Sequence, residues 1–354
     1  MHTVITGSGS FIPTNIKPNS SFTTQIFYDE NRQLIQNNSN DIVTKFEQIT
    51  GIKERRYADD GITSSCMAIR AAEAAISKAA IDAETIDQLI VAHNFGNIAS
   101  NTSHTHTVPS LASLIKYGLG IKNSACVAYD ILFGCPGWLQ GLIQADAFTK
   151  AGLAKCCLII GTETLSRVID PFDRDSMIYS DGAGAVVTEC NVDNTAGILG
   201  SVSASYANED VDYIRMGPSN FSNGNISARY LKMQGRKVYE FALKHVPLAI
   251  KRCLDKCNVS LQEVKKIFIH QANEKMDEAI VKRLYDLCGI KEVPGDIMPM
   301  NIQTLGNSSV ATIPTLYDMV VKGVLPDHTL HKNDIILFAS VGAGMNINAM
   351  CYRV

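Results

Sequence analysis

Short apolar runs alternate along the chain with longer stretches in which apolar residues recur every three or four positions. The short runs predict strands and the longer stretches predict helices. The predicted strands are 3–6, 88–93, 156–160, 184–190, 197–204, 266–270, 334–340 and 345–353. The predicted helices are 63–80, 109–118, 136–151, 235–257, 274–288 and 308–322. This alternation favours an α/β fold with largely buried sheets.

Residues 17–45 do not follow this pattern. They are polar and rich in asparagine, as the segment NRQLIQNNSND shows. We therefore expect them to form an excursion on the surface of the protein, and the pattern assigns no helix or strand to them.

Two segments of the chain, 83–97 and 261–275, resemble each other. Each has a short polar helix end, an apolar strand, and then His-x-x-Asn or a near variant. Each half of the chain also contains a later helix that is entered through a glycine-flanked small polar residue. This internal repeat predicts two similar halves, residues 1–191 and residues 192–354.

The composition is that of a globular protein, with 354 residues of which 46% are hydrophobic and 19% are charged. Such a length fits two domains or one large α/β unit. The net charge is only -3 and there is no long basic run, so neither nucleic acid nor an anionic membrane is an expected partner. The opening segment MHTVITGSGSFIP lacks the pattern of a signal peptide, and no apolar stretch is long enough to cross a bilayer. We therefore expect a cytoplasmic protein.

Ten cysteines are present, and a chain of this size without an export signal is expected to keep them reduced. Cys253 and Cys257 have helical spacing but lack a second pair of ligands. His104 and His106 occupy alternate positions, which also fits a polar loop entering a helix. We therefore predict no metal site.

Cys135 lies where an apolar run meets a predicted helix, between Gly134 and the pair Pro136-Gly137. At the amino-terminus of a helix, the positive end of the helix dipole and unpaired N–H groups favour a thiolate over a thiol. The flanking glycines allow backbone or substrate to approach closely. These features favour a nucleophile, and the alternative is a buried, unreactive cysteine.

Two further residues could complete a site with this cysteine. His270 follows the predicted strand KKIFIH, where α/β folds place active sites, although a structural histidine is the alternative. Asn307 follows a glycine and opens a helix, where it could also serve as an N-cap. A cysteine can attack an acyl carbonyl, and histidine and asparagine can donate hydrogen bonds to a developing oxyanion. The glycine loop 340–346 could add backbone donors.

These segments together resemble the β-ketoacyl-acyl-carrier-protein synthase III family of the thiolase superfamily. The resemblance covers nearly the whole chain and depends on the order and spacing of many motifs. They are TGIKERR (50–56), HTHTVPS (104–110), ILFGCPGW (131–138), DPFDR (170–174), SDGAGAVV (180–187), MQGRKVYEFA (233–242), IHQAN (269–273), GNSSVATIP (306–314) and GAGM (342–345).

The resemblance implies a thiolase-like, five-layered αβαβα fold built from two similar halves, usually as a homodimer. It implies that Cys135 is the nucleophile of a triad with His270 and Asn307, and that the backbone N–H groups of Cys135 and Ala343 form the oxyanion hole. An acyl-CoA would acylate the cysteine, and malonyl-acyl carrier protein would then lose carbon dioxide and attack the thioester. This reaction initiates fatty-acid synthesis, and it requires neither a metal nor an organic cofactor.

Several positions that contact substrate in the family differ here. The tryptophan and arginine that sandwich the CoA adenine in well-known members correspond to Lys45 and Ile49, whereas Arg174 is retained. The adenine contact must therefore differ, or the primer arrives on another carrier. Val108 corresponds to the residue that a dimer partner donates to the acyl pocket. Its small size predicts a medium or branched primer.

Other substrate and partner contacts are implied by position alone. Four residues are expected to contact the substrate, namely Gly235, Val238, Ala272 and Asn273. Three basic residues on the helix after His270 are candidates for docking an acidic carrier protein, namely Lys275, Lys282 and Arg283. The alternative for these three is that they only face water.

Related condensing enzymes of secondary metabolism share this triad, so a role in quinolone, dialkylresorcinol, polyketide-starter or olefin synthesis stays open. Thiolase chemistry is less favoured, because Cys351 lies too far past the glycine loop to be a second catalytic cysteine. Hydroxymethylglutaryl-CoA synthase would need a glutamate that no motif locates. A silent scaffold typically lacks the nucleophile, and GSGSFIP lacks the third glycine of a dinucleotide-binding fingerprint.

Overall fold

The structure, a computed structural model, describes residues 2–102, 104–192, 195–208, 210–223 and 227–354. Within these ranges the helices are α1 (Ser39–Thr50), α2 (Ser64–Ala79), α3 (Leu111–Gly118), α4 (Gly137–Lys150), α5 (Gly235–Cys257), α6 (Glu274–Leu287), α7 (Ile302–Leu305) and α8 (Thr312–Val321). The strands are β1 (His2–Phe11), β2 (Asn15–Pro18), β3 (Glu54–Tyr57), β4 (Gln88–Ala92), β5 (Asn97–Ile98), β6 (Thr105–His106), β7 (Val127–Ile131), β8 (Cys156–Thr164), β9 (Asp181–Asn191), β10 (Gly197–Ser205), β11 (Ile214–Gly217), β12 (Tyr230–Met233), β13 (Val264–Ile269), β14 (Ile335–Gly342) and β15 (Asn346–Arg353).

Two mixed sheets form the centre of the fold. The first has the strand order β1-β9-β8-β4-β7, in which β4 is parallel to β7 and β8 while β9 is antiparallel to its neighbours. The second has the order β10-β15-β14-β13, in which β13 and β14 are parallel and β15 is antiparallel to its neighbours. Strand β8 is buried along its whole length. Its sequence is therefore nearly continuous in apolar and small residues instead of alternating.

The helices and sheets form five layers. Helices α4 and α8 lie between the two sheets, where Trp138 and Leu316 share one core with Ile159 of the first sheet and Phe338 of the second. Helices α2 and α3 cover the outer face of the first sheet. Helices α5 and α6 cover the outer face of the second sheet. The αβαβα fold that the resemblance implied is therefore confirmed.

Every predicted strand and helix has a counterpart in the part of the chain that the structure describes. Strands β1 and β8 continue beyond their predicted ends. The helix predicted at 308–322 is divided into a 3₁₀ turn, Ser309–Ala311, and helix α8. Ser309 has a left-handed φ of 52°, so a regular α-helix cannot run through this residue.

Helix α1 corrects the prediction that residues 17–45 carry no element. It starts after Asn38, whose side chain accepts a hydrogen bond from the backbone N–H of Asn40. It ends at Gly51, whose φ of 76° suits a left-handed C-cap. The helix buries Ile42 and Phe46. They share a core cluster with Met177 and Ile178 of the 3₁₀ turn at 174–178.

Two further observations concern the cysteines and the length and apolarity of the helices. All ten cysteines are free thiols, as predicted. Among the helices of the described residues, none has the length and apolarity that crossing a bilayer requires.

Candidate active site

The predicted catalytic residues line one of two adjoining cavities. The inner cavity has a volume of about 270 Å³, and Cys135, His270, Asn307 and Ala343 lie in its wall. The outer cavity has a volume of about 560 Å³. Four residues line both cavities, namely Met233, Val238, Ala272 and Met276. The two cavities therefore share part of their walls, next to the catalytic residues.

Close backbone contacts position Cys135 between the end of β7 and the start of α4. Gly134 has a φ of 65°, and a Cβ atom at this position would lie 2.6 Å from the backbone nitrogen of Ala343. A Cβ atom on Gly342 would lie 2.4 Å from the backbone nitrogen of Cys135. Such distances exclude any residue except glycine at both positions. The two glycines thereby bring the backbones of Cys135 and Ala343 together.

His270 and Asn307 are held by their own backbones. The His270 N–H donates to the Ala339 carbonyl at 2.8 Å, directly after strand β13. The Asn307 N–H donates to the Ile178 carbonyl at 2.8 Å. The Asn307 side-chain oxygen accepts a hydrogen bond from the Ser309 N–H at 2.8 Å. The amino group is thus the part of this carboxamide that remains to donate to a ligand.

The protonation state of the site differs from the sequence-based expectation. The helix end was expected to favour a thiolate, but burial raises the pKa of Cys135 to about 11. Burial also lowers the pKa of His270 to about 4. At neutral pH the site therefore holds a thiol and a neutral imidazole. The imidazole Nδ1 is buried and has no hydrogen-bond partner among the described residues.

Helix α1 forms one wall of the outer cavity, which sequence reasoning missed. Lys45 and Ile49, which the resemblance matched to the family's adenine contacts, both line this cavity, together with Arg174. Two other residues expected to contact substrate, Gly235 and Asn273, line it as well. The apolar spacing in DIVTKFEQIT was the available sequence signal for this helix.

Four predicted residues lie outside both cavities. Val108 is 89% exposed and lines neither cavity within one chain. Lys275, Lys282 and Arg283 are exposed on α6, and Lys282 forms an ion pair with Asp286 at 3.3 Å. Because the first turn of α6 contributes to the wall of the outer cavity, Lys275 lies beside its mouth.

One group of side chains among the described residues has the spacing of metal ligands. It consists of Cys253, Cys257 and Cys351, and none of the three lines either cavity. The sequence prediction of no metal site considered the first two cysteines without the third.

Known proteins resemble this chain over its whole length. The family 3-oxoacyl-[acyl-carrier-protein] synthase III matches residues 129–207, and its C-terminal counterpart matches residues 254–354. The β-ketoacyl-[acyl-carrier-protein] synthase III of Novosphingobium aromaticivorans is 30% identical, with 100% of this chain and 99% of the relative covered. That of Oceanobacillus iheyensis is 33% identical, with 100% of this chain and 99% of the relative covered.

A solved structure shows the same likeness in three dimensions. The crystal structure of 3-oxoacyl-[acyl-carrier-protein] synthase III from Aquifex aeolicus VF5 matches with a TM-score of 0.81 and 28% identity, covering 99% of this chain and 100% of that one. Sequence identity over the full length and the shared fold both indicate the same family. The chain belongs to the 3-oxoacyl-[acyl-carrier-protein] synthase III family of thiolase-like acyltransferases.

Proposed function

We propose that this protein joins an acyl-CoA primer to malonyl-acyl carrier protein by a decarboxylative Claisen condensation and so initiates fatty-acid synthesis. One observation carries the proposal. A thiol, an imidazole and a carboxamide from distant parts of the chain line a single inner cavity that adjoins a larger one. This arrangement suits transfer of an acyl group from a long thioester arm to a cysteine.

In the first half-reaction Cys135 attacks the carbonyl carbon of the primer thioester. The thiol proton passes to the neutral imidazole of His270, because a buried thiolate without a cation would be costly. The backbone N–H groups of Cys135 and Ala343 donate to the oxyanion of the tetrahedral intermediate. Collapse of the intermediate breaks the bond to the CoA sulfur, which leaves as CoA thiol with the proton.

In the second half-reaction malonyl-acyl carrier protein replaces CoA. The carbon–carboxylate bond breaks and releases carbon dioxide, and its electron pair forms an enolate. His270 and Asn307 donate hydrogen bonds to the enolate oxygen. The enolate carbon then attacks the acyl-Cys135 carbonyl, and Cys135 leaves as a thiolate while the β-ketoacyl product forms. Uptake of one proton from solvent restores the thiol. Because these donors stabilise the charge, we propose that the reaction uses neither a metal nor an organic cofactor.

The outer cavity is the proposed site for the CoA or pantetheine arm. Lys45, Arg174 and Arg236 lie in its wall and supply positive charge for phosphate groups. Gly235 and Asn273 line the same cavity, and Val238 and Ala272 line both. We assign Lys275, Lys282 and Arg283 to docking of the carrier protein, whose acidic surface they would complement.

The proposed assembly is a cytoplasmic homodimer. Strand β7 forms one edge of the first sheet, and an exposed edge can pair with the same strand of a second copy. The apolar side chains Val127 and Leu132, at the two ends of this strand, are 52% and 68% exposed. Pairing would cover them and could bring Val108 to the partner's acyl pocket. A primer of medium length or with a branch would then fit.

A second candidate function keeps the chemistry and changes the pathway. Lys45 and Ile49 line the outer cavity in place of the adenine-binding pair of well-known members. This difference favours a condensing enzyme of secondary metabolism whose primer arrives on a carrier protein. The choice of donor separates the two candidates.

Intact-mass measurement tests both candidates. The protein is incubated separately with acetyl-, isobutyryl-, hexanoyl- and octanoyl-CoA and with the same acyl groups on a carrier protein. We expect one acyl group per chain, medium or branched acyl-CoA preferred, and a β-ketoacyl product after addition of malonyl-carrier protein. Cys135→Ala should abolish acylation, whereas Cys66→Ala, which removes another partly exposed thiol, should not.

Three results would count against these proposals. Persistent acylation of Cys135→Ala would refute the assignment of the nucleophile. Acylation by carrier-bound primers alone would favour the second candidate. A clear preference for acetyl groups would contradict the predicted primer.

A further inference from the structure

A hydroxyl group contacts the sulfur of Cys135. The Ser309 Oγ donates a hydrogen bond to the Cys135 Sγ at 3.2 Å. Ser309 begins the 3₁₀ turn that follows Asn307, so the same loop supplies a catalytic carboxamide and this hydroxyl. The serine side chain is buried, and it lines the inner cavity together with Cys135.

Two further residues fix the direction of this hydrogen bond. The side-chain amino group of Asn94 donates to the Ser309 Oγ at 3.0 Å. A hydroxyl that accepts this bond has its single proton free for the sulfur. The same amino group donates to the Glu163 Oε1 at 2.6 Å, and the Asn94 N–H donates to that oxygen at 2.8 Å. Glu163 therefore keeps the amino group of Asn94, and not its oxygen, toward Ser309.

We propose that Ser309 donates the hydrogen bond that stabilises the thiolate of Cys135, and that Asn94 and Glu163 are positioning residues that orient this hydroxyl. We call the hydrogen-bonded side chains of Glu163, Asn94 and Ser309 the relay. They come from strand β8, from the residues after β4 and from the loop before α8, and the relay ends at the sulfur of Cys135. The proposal deepens the proposed function and rests on it for the role of Cys135. The contacts themselves do not depend on the substrate.

The electrostatics of the site agree with this role. Burial raises the pKa of the Cys135 thiol, and the hydrogen bond from Ser309 acts in the opposite direction. Burial also raises the pKa of Glu163 to about 8. The carboxyl is thus largely uncharged at neutral pH, and it can accept from Asn94 without adding a negative charge near the thiolate.

The test measures alkylation of Cys135 by iodoacetamide between pH 6 and 11, with the modified peptide quantified by mass spectrometry. Hydrogen bonds to charged groups typically change such an equilibrium by about ten- to a hundredfold. Ser309→Ala should therefore slow alkylation at pH 8 by that factor and shift the profile to higher pH. Because the wild-type pKa is about 11, the rate of the variant should still be lower at pH 11, the highest pH measured.

Two variants control for structural damage. Ser309→Gly also removes the hydroxyl, but glycine adopts the φ of 52° without strain, so both variants should behave alike. Ser308→Ala removes the neighbouring hydroxyl, which contacts Thr312 and not the sulfur, and should leave the profile unchanged.

Two variants of Glu163 test the positioning residues. Glu163→Gln keeps an acceptor for Asn94, so its alkylation rate should stay near that of the wild type, whereas Glu163→Ala should slow alkylation.

An unchanged profile in Ser309→Ala would overturn the proposal, as would an equal shift in Ser308→Ala. Because iodoacetamide needs no thioester substrate, failure of the relay can be distinguished from failure of the proposed function. A shifted profile without any acylation by acyl-CoA would refute the function and retain the relay.

A second, independent observation concerns the three thiols remote from the cavities. Cys253 and Cys257 are one turn apart at the end of α5, and Cys351 lies on β15 beneath them. Their sulfur atoms all lie within 4.8 Å of one another, and those of Cys253 and Cys351 are 3.7 Å apart. Cys253 and Cys351 are buried, while Cys257 is partly exposed and gives access from solvent.

We infer that this group binds a soft, monovalent d¹⁰ ion, Cu(I), through three thiolates. Thiolate sulfurs lie about 2.3 Å from Zn²⁺, another d¹⁰ ion, and a similar distance to Cu(I) would place three coplanar sulfurs about 4 Å apart. The sulfur atoms need only small shifts to reach that geometry. Thiolates select Cu(I) over harder ions, and each thiol would release one proton to solvent on binding.

The test uses reduced Cys135→Ala protein, so that the nucleophile cannot compete for the ion. Under exclusion of oxygen, Cu(I) is titrated against a chromophoric Cu(I) chelator. We expect one equivalent to be retained, and Cys257→Ala to weaken retention at least a hundredfold without leaving a hole in the core. Cys288→Ala, a partly exposed thiol outside the group, is the matched control. Equal retention by all variants, or none by the parent protein, would overturn the inference.

Discussion

The inner and outer cavities of this protein are built in different ways. The inner cavity is held by backbone hydrogen bonds at His270 and Asn307 and by glycine contacts at Cys135. The outer cavity depends on the side chains of helix α1 and carries charged groups in its wall. We infer that the two cavities have different roles. Backbone contacts hold the catalytic residues in place, whereas the side chains of the outer cavity, which can be exchanged more easily, select the thioester donor.

Arg55 connects the outer wall to the rest of the molecule. Its guanidinium is fully buried and lies 4.9 Å and 5.7 Å from the ring centres of Phe22 and Phe46. It donates to three oxygens, those of the Lys17 carbonyl, the Asn19 side chain and the Met177 carbonyl. Arg55 thus ties Lys17 and Asn19, at the start of the segment that sequence reasoning left without structure, to Met177.

Gly342→Ala should produce the largest effect, and it acts on the inner cavity. The added Cβ would lie 2.4 Å from the backbone nitrogen of Cys135 and would displace a donor of the proposed oxyanion hole. Loss of one such donor lowers kcat by about 10² to 10³. Steady-state kinetics measure the loss. Gly182→Ala is the control, since its Cβ would meet the nearest atom at 3.6 Å. Activity of Gly342→Ala near wild type would contradict the rigid inner cavity.

Arg55→Met breaks the outer wall and should leave the inner cavity intact. Three buried acceptors lose their donor, which should lower the free energy of unfolding by about 3 kcal/mol. We also expect KM for the donor to rise because α1 is less well held, while the rate of Cys135 alkylation stays unchanged. Denaturant unfolding and steady-state kinetics measure both effects. Arg55→Lys should retain only part of the wild-type stability, because an ammonium group cannot reach all three acceptors. A slowed alkylation in Arg55→Met would show that the two cavities are coupled.

Differences in burial explain how much of the fold could be predicted from the sequence. Strands such as β4 and β8 are buried on both faces, so their apolar runs identified them. Helix α1 was missed because its few buried side chains, such as Ile42 and Phe46, pack on a small separate cluster and are surrounded by polar residues. The run before Cys135 was recognised as apolar, but strand β7 was not among the predicted strands, because Tyr129 and Asp130 interrupt its apolar pattern.

Within the site, residue identity could be predicted but environment could not. Cys135, His270 and Asn307 follow strand ends or glycines, which are visible in the sequence. The pKa of the cysteine was predicted in the wrong direction, because burial depends on residues far away in the chain. The contact between Asn94 and Ser309 joins positions 215 residues apart, and no local pattern marks it.

The inner cavity should make stability depend on pH through His270. Its pKa is about 4 in the folded protein and near 6.5 when unfolded, so the unfolded chain binds more protons between these values. Stability contributed by this residue should therefore fall as the pH decreases from about 7 to 4, by about 3 kcal/mol. His270→Gln should remove this part of the slope. Unfolding in denaturant across this range measures it, and equal slopes in both proteins would show that the imidazole is not buried as described.

Lys45→Glu should give the smallest effect and should sharpen the role of the outer wall. Lys45 is exposed at the cavity mouth, so reversing its charge should raise KM for acyl-CoA about three- to tenfold, with kcat unchanged. Salt should reduce this difference, because screening weakens exposed charge interactions. Lys78→Glu, an exposed charge reversal in the last turn of α2, is the control and should have no effect. If Lys45→Glu instead raises KM for an acyl-carrier protein and not for acyl-CoA, the outer wall selects a carrier-bound primer. The residues that replace the family's adenine contacts would then mark a change of donor.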